Sequence, residues 1–397
     1  MDHVHKQDNQ HRLTLLEALK KASKDLQKKS IFLKPDSNAI KAFLELKTEA
    51  ETEFSRDPSL FNLSELLSNL KTQLQKLQQS QDYALLSFLC RQITNYQIST
   101  IAISIETEVQ GLIDQEIIRN LVRVLQDSVD EDEKMEALAR FEKRVSMGFD
   151  RDLQEMILKA KVFSILELIV CYSNFSRRVR EQSAVAIVAL VRFNRDVFVG
   201  QVLMGSTVKT LMSMASYSHQ SIQSLSSLIK LIRSPLVYEL ESNGYIPRII
   251  SLLNSKDLSI RVAAMDCILE FACFAMREAI EAMLEEGLIR KLVELQRLEF
   301  RTDLIELERF DDDENRGICV ETELERKMDC EENGFLENHP FVNCITRFVV
   351  QLEMGEGLEH GEKRPLKQEI LRRVREASAS DAEATTIVAE ILWGSSP

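Results

Sequence analysis

Residues 243–274 read "NGYIPRIISLLNSKDLSIRVAAMDCILEFACF", and the reading of this stretch decides the fold. Ile246, Ile249, Ile250 and Leu253 fall at i, i+3, i+4 and i+7, which places them on one face of a helix. Pro247 stands in the first turn, where a missing amide proton costs nothing because the opening amides of a helix have no internal partner. The polar "NSKD" breaks the pattern, and a second helix runs through Ile260, Ala264, Ile268 and Phe271. Its Ala263 and Ala264 are small enough for close helix approach. A short third element, "AMREAIEAMLEEG", ends at Gly287, a residue suited to the left-handed conformation that closes a helix.

The pattern recurs along the chain. "GYIPRIISLL" at Gly244 matches "GLIRKLVELQ" at Gly287, "GSTVKTLMSM" at Gly205, "AKVFSILELI" at Ala160 and "EIIRNLVRVL" at Glu116. From Glu116 onward, successive starts lie 44, 45, 39 and 43 residues apart. Armadillo and HEAT arrays repeat every 40 to 47 residues or about that. A short helix ending in Gly, then "IPRIISLL", a polar turn and a longer helix with a central Ala together resemble an armadillo repeat, from about Glu116 to Gln296. The resemblance implies an all-α protein, an armadillo-type α-solenoid forming a right-handed superhelix of about five units, whose apolar faces are buried only by stacking.

Residues 1–112 do not carry the repeat and are expected to form an N-terminal helical bundle, with residues 113–397 as the solenoid. Helices are predicted near Arg12 to Lys29, Ser37 to Phe54, Leu63 to Gln79 and Asp82 to Glu108, punctuated by Pro35 and Pro58. Leu63, Leu67, Leu70, Leu74 and Leu77 form an a/d seam, read as packing inside the bundle because it lasts only two heptads. A helical region before armadillo units is similar to the layout of plant U-box armadillo proteins. Their "CPI" and "DPV" signature does not occur here, so the resemblance implies a relative without the surface that recruits a ubiquitin-conjugating enzyme.

After Gln296 the periodicity stops. Asp303 to Glu337 holds 14 acidic and 4 basic residues, a net charge of -10, and reads as an acidic loop inserted in the last repeat. Asp311 to Gly334 is expected to be mobile, and its deletion to leave the fold intact while changing partner affinity at low salt. Helical pattern resumes with "FVNCITRFVVQLE", "LKQEILRRVREAS" and "DAEATTIVAEILW", the last starting from a Ser380/Glu383 capping box. These terminal helices would cap the open end.

Composition agrees with a helical reading. The chain has 397 residues, 44% of them apolar and 28% charged, with only 12 Gly and 7 Pro to make turns. Its formal charge of -13 argues against nucleic acid as a partner, since that binding draws on Lys and Arg displacing counterions from phosphates. Cys90, Cys171, Cys267, Cys273, Cys319, Cys330 and Cys344 form no C-x-x-C pair, which fits a reducing compartment, cytoplasm or nucleus. The start "MDHVHKQDNQHRL" lacks the apolar core of a signal peptide, and the longest apolar runs are too short to insert in a membrane.

The sequence offers no catalytic constellation, no cofactor-binding motif and no metal-ligand pattern. His3, His5, His11, His219, His339 and His360 form no H-E-x-x-H, and there is neither G-x-S-x-G nor a glycine-rich phosphate loop. The groove of a peptide-binding armadillo protein carries an Asn ladder with a Trp four residues before each Asn. Aligning the long helices puts Glu270, Lys230, Ala189 and Lys143 at the Asn position, and Asp266, Ser226, Val185 and Ala139 at the Trp position. Neither ladder is present, so the candidate groove is a mixed polar surface of Arg140, Lys143, Gln182, Lys230, Asp266 and Glu270. The expected function is a non-enzymatic scaffold for protein partners, with a regulator or substrate-recruiting component of ubiquitination as the alternative. Two basic clusters, "KKASKDLQKK" and "EKRPLKQEILRRVR", read as helices with exposed cations, and "NFSRRVREQSA" places Arg177, Arg178 and Arg180 at a turn between repeat helices, open to an acidic partner or to the chain's own acidic insertion.

Overall fold

The computed structural model describes residues 2–29, 60–79, 85–299 and 339–394, with residues 43, 45, 46 and 48 besides. The chain divides into two compact units, Met1–Val162 and Phe163–Pro397. Every described element is helical.

The first unit holds α1 (Asp2–Lys29), α2 (Phe61–Gln79), α3 (Leu85–Asp127), α4 (Glu131–Val145) and α5 (Arg151–Lys159). α1 and α2 both pack on α3, which makes the expected helical bundle. Leu63, Leu67, Leu70 and Leu74 of the α2 seam are buried, so the seam is used inside the unit. Most of the predicted helix from Ser37 to Phe54 lies outside the described residues. α3 passes unbroken through residue 112, where the sequence places a domain boundary. Its buried stripe of Ile98, Ala102, Ile105, Val109, Ile113 and Ile117 steps by three or four without a change of phase, so nothing stops the helix there. Asp130 and Asp150 then start α4 and α5, their side chains accepting backbone hydrogen bonds from Asp132 at 3.0 Å and from Asp152 at 3.0 Å.

The second unit is built from helix triplets. α6 (Val162–Cys171) and α7 (Arg177–Phe193) lead, and two triplets follow: α8 (Arg195–Met204), α9 (Thr207–Met214) and α10 (His219–Ile232), then α11 (Ser234–Ser242), α12 (Ile246–Ser251) and α13 (Leu258–Phe274). A third triplet is α14 (Arg277–Glu285), α15 (residues 288–299) and α16 (Cys344–Met354), and α17 (His360–Ala377) and α18 (Asp381–Gly394) close the chain. The third helices stack in order, α7 on α10, α10 on α13 and α13 on α16. This is an armadillo-type α-solenoid. Ile246, Ile249, Ile250 and Leu253 of the first quoted helix are buried, as are Ile260, Ala264, Ile268 and Phe271 of the second. Ser176, Ser218 and Asp257 cap α7, α10 and α13, accepting from the amides of Val179, Ser221 and Ser259. The acidic stretch 303–337, including Asp311 to Gly334, lies outside the described residues. The helices on either side of it, α15 and α16, are the second and third of one triplet.

Two details at the C-terminal end depart from the sequence reading. α17 starts at His360 and contains Pro365, because Glu359 and Glu362 form a capping box upstream, with the Glu359 amide donating to the Glu362 carboxylate at 3.0 Å. The Ser380/Glu383 box is only half made. The Glu383 amide donates to Ser380 Oγ at 3.2 Å, while the Glu383 carboxylate accepts from the Ala379 amide at 2.6 Å and from Arg297 at 2.7 and 2.9 Å.

Gly244 and Gly287 carry φ of +68° and +79° at the turn between first and second helices, and Lys161, which follows α5 in the same way, has φ of +52°. A side chain in this left-handed region costs about 1–2 kcal/mol. No atom lies near a Cβ built on Gly287, so the expected loss of about 1 kcal/mol for Gly287→Ala is conformational. Lys161→Gly is expected to shift stability the other way by about 0.5 kcal/mol, the gain being reduced by the greater freedom of glycine in the unfolded chain. Urea denaturation of both variants checks the opposite signs.

Candidate protein-binding surface

The third helices of the second unit bring together candidate residues far apart in sequence. Lys230 on α10 reaches Glu270 on α13 at 3.4 Å, and Asp266 on α13 reaches Arg347 on α16 at 3.6 Å. Gln182 sits half-buried on α7. Ala189, at the aligned Asn position of α7, is buried and presents nothing to a partner. The Asp266 carboxyl lies above the usual aspartate range, chiefly from desolvation between neighbouring helices; Arg347 opposes this and Glu270 adds to it.

Lys230 keeps 70% of its side chain exposed. Exposed pairs of this kind contribute about 0.2–1 kcal/mol each, so a partner's own charges can replace them at small cost.

Arg140 and Lys143 belong elsewhere. They lie on α4 in the first unit, where a cleft of about 760 Å³ is lined by α1, α3 and α4. Of the "KKASKDLQKK" cations, Lys21 and Lys24 are exposed and Lys20 half-buried, and all three line this same cleft. Arg347 was also missed. The acidic stretch interrupts the period, so only the apolar pattern of "FVNCITRFVVQLE" marked that segment as a third helix.

Arg177, Arg178 and Arg180 do not form a free basic turn. Ser176 starts α7 just before them, leaving Arg177 and Arg178 exposed in its first turn and Arg180 half-buried. Arg177 pairs with Glu181 at 2.6 Å and lies over the Tyr217 ring, while Arg180 donates to the Val170 carbonyl at 2.9 Å.

Among the described residues no cluster of three His, Cys, Asp or Glu side chains is placed to hold a metal ion. Burial pushes the Cys267 and Cys344 thiols up to about 12, which leaves them unreactive core residues at neutral pH. Among the described residues no single helix is long and apolar enough to cross a membrane.

The class defined by the stacked triplets is the armadillo-type solenoid. Among solved structures, the chain is similar to a designed armadillo repeat protein at 14% identity, covering 70% of this chain and 98% of that one with a TM-score of 0.43. It is also similar to a designed armadillo repeat protein in complex with the peptide (KR)4, at 15% identity, 70% and 98% coverage and a TM-score of 0.44. A computationally designed armadillo repeat protein for modular peptide recognition matches at 16% identity, 70% and 98% coverage and a TM-score of 0.42. No family profile matches the sequence, and no curated protein matches it significantly.

Proposed function

We propose that this chain is a non-enzymatic scaffold or adaptor that holds protein partners on the third-helix face of its solenoid, in the cytoplasm or nucleus. The observation that carries this is the row of ion pairs across successive third helices, Lys230 to Glu270 and Asp266 to Arg347, each with one exposed and one half-buried partner. Such a surface offers both signs of charge, and it selects partners by the complementary pattern of their charges. A regulator or substrate-recruiting component of ubiquitination is a narrower form of the same reading, supported only by the order of helical region before repeats.

Proximity labelling in cells, followed by direct binding of purified candidates, tests the reading. Lys230→Glu and Arg347→Glu each set two carboxylates side by side, and either is expected to weaken a true partner about tenfold; Lys230→Glu should change stability little, whereas Arg347→Glu also loses the bond to the Pro340 carbonyl at 2.9 Å. Partners that bind both variants as well as the unaltered chain would remove the third-helix face from consideration. Direct binding of a ubiquitin ligase or conjugating enzyme separates the narrower reading from the general one.

A further inference from the structure

The first unit holds a cleft of its own. α1 and α4 each pack on α3, and the cleft of about 760 Å³ runs between them with α3 as its floor. Ile113 and Ile117 lie almost buried at its base, the half-buried Leu13 and the exposed Met147 supply its apolar lining, and Lys20, Lys21 and Lys24 stand on the α1 side with Arg140 and Lys143 on the α4 side.

The cations are not all spent internally. Lys24 pairs with Glu106 at 3.2 Å, Arg140 with Glu136 at 3.0 Å, and Arg144 is committed to Asp114 at 2.6 Å and Asp150 at 2.9 Å. Lys20 donates to Gln110, and Lys21 and Lys143 have no acidic partner among the described residues. Against these three amines the lining offers only Glu17 unpaired. A chain with a formal charge of -13 thus lines this cleft with six cations, Lys20, Lys21, Lys24, Arg140, Lys143 and Arg144, against two carboxylates, Glu17 and Glu136. Burial first, and then Lys24, holds the Lys20 ammonium below the usual lysine range, an effect that an incoming carboxylate relieves.

We propose that this cleft takes an acidic amphipathic helix from a partner protein, its apolar face on Leu13 and Met147 and its carboxylates against Lys20, Lys21 and Lys143. Charge alone would suit nucleic acid or an anionic membrane as well. Nucleic acid needs many phosphate contacts or stacking aromatics, and the lining has three unmatched amines and no aromatic residue. A flat lipid surface does not reach a floor set between two helices. A helix laid in a groove uses both the floor and the walls.

The test uses the full chain and a fluorescein-labelled peptide with leucines three and four apart on one helical face and glutamates elsewhere, read by fluorescence anisotropy. Micromolar binding is expected, falling as salt is raised. The double variant Lys21→Glu with Lys143→Glu, both at exposed positions, is expected to weaken it at least about tenfold. Replacing the peptide leucines by serine should cost a similar factor, whereas Lys230→Glu should change nothing, which separates this site from the solenoid face. The proposal is overturned if the double variant binds as well as the unaltered chain, if the leucine-free peptide binds equally, or if oligouridylate or phosphoinositide vesicles bind more tightly than the peptide.

Discussion

Arg144→Ala is expected to lower stability by about 3–5 kcal/mol, because it strips the partner from a carboxylate that water cannot reach. The Arg144 guanidinium grips Asp114 through two bonds, at 2.6 and 2.7 Å, and Asp150 through a third at 2.9 Å. Asp114 is 2% exposed and takes a further hydrogen bond from Gln110 at 2.6 Å. The cost comes from the charge left behind more than from the bonds lost. Arg144→Met combined with Asp114→Leu is therefore expected to recover most of the loss, since it removes the buried charge and leaves only the half-buried Asp150 and Gln110 without these partners. Urea denaturation followed by circular dichroism checks both, and equal losses in the single and double variants would contradict the assignment. The network also carries a pH dependence. Burial pulls the Asp150 carboxyl upward, but the Leu153 amide, the Arg144 guanidinium and the Asp152 amide outweigh it and hold the carboxyl below the usual aspartate range. A carboxylate with a lower pKa folded than unfolded adds stability that is present above about pH 4 and lost as pH falls through the folded value. That acid-side loss should be smaller in Arg144→Ala, where the charge-assisted bond is gone.

Phe271→Ala is expected to cost about 3–5 kcal/mol in the second unit, from lost transfer energy and the cavity that its neighbours cannot fill. Phe271 is 1% exposed on α13, the helix that packs on α10, on α11, on α12 and on α16. Stacking is the only means by which such repeats bury their apolar faces, so loosening this helix weakens the interface on each side of it. Leu258→Ala on the same helix, 50% exposed, is the control and is expected to cost under about 1 kcal/mol. The difference is read from thermal melts of the two variants. A loss for Phe271→Ala no larger than for Leu258→Ala would mean that α13 is not the centre of the stack.

The repeat was legible because its signals are local. The spacing of Ile246, Ile249, Ile250 and Leu253, the breaks at "NSKD", and Gly244 and Gly287 after the first helices all survive in the structure as buried faces, capped starts and left-handed turns. The seam on α2 was legible for the same reason. The site was read less well. Four candidates, Gln182, Lys230, Asp266 and Glu270, lie on third helices of the second unit, while Arg140 and Lys143 line a cleft in the first. Their charge and helical face were visible, but the α1 lysines that share that cleft lie more than a hundred residues away.

Sequence alone determined that this chain is all-α, that its long helices repeat, and where turns such as Gly244 and Gly287 fall, because periodicity, capping and turn conformation are properties of a few neighbouring residues. Tertiary structure decided which charges meet. Lys230 finds Glu270 and Asp266 finds Arg347 only once the third helices are stacked, and Arg144 is taken up by Asp114 from 30 residues earlier. Tertiary packing also carried α3 through residue 112, since a helix continues wherever both of its halves have a core to cover. Ion-pair partners and clefts are set by distances between helices, and those distances follow from how the apolar faces pack.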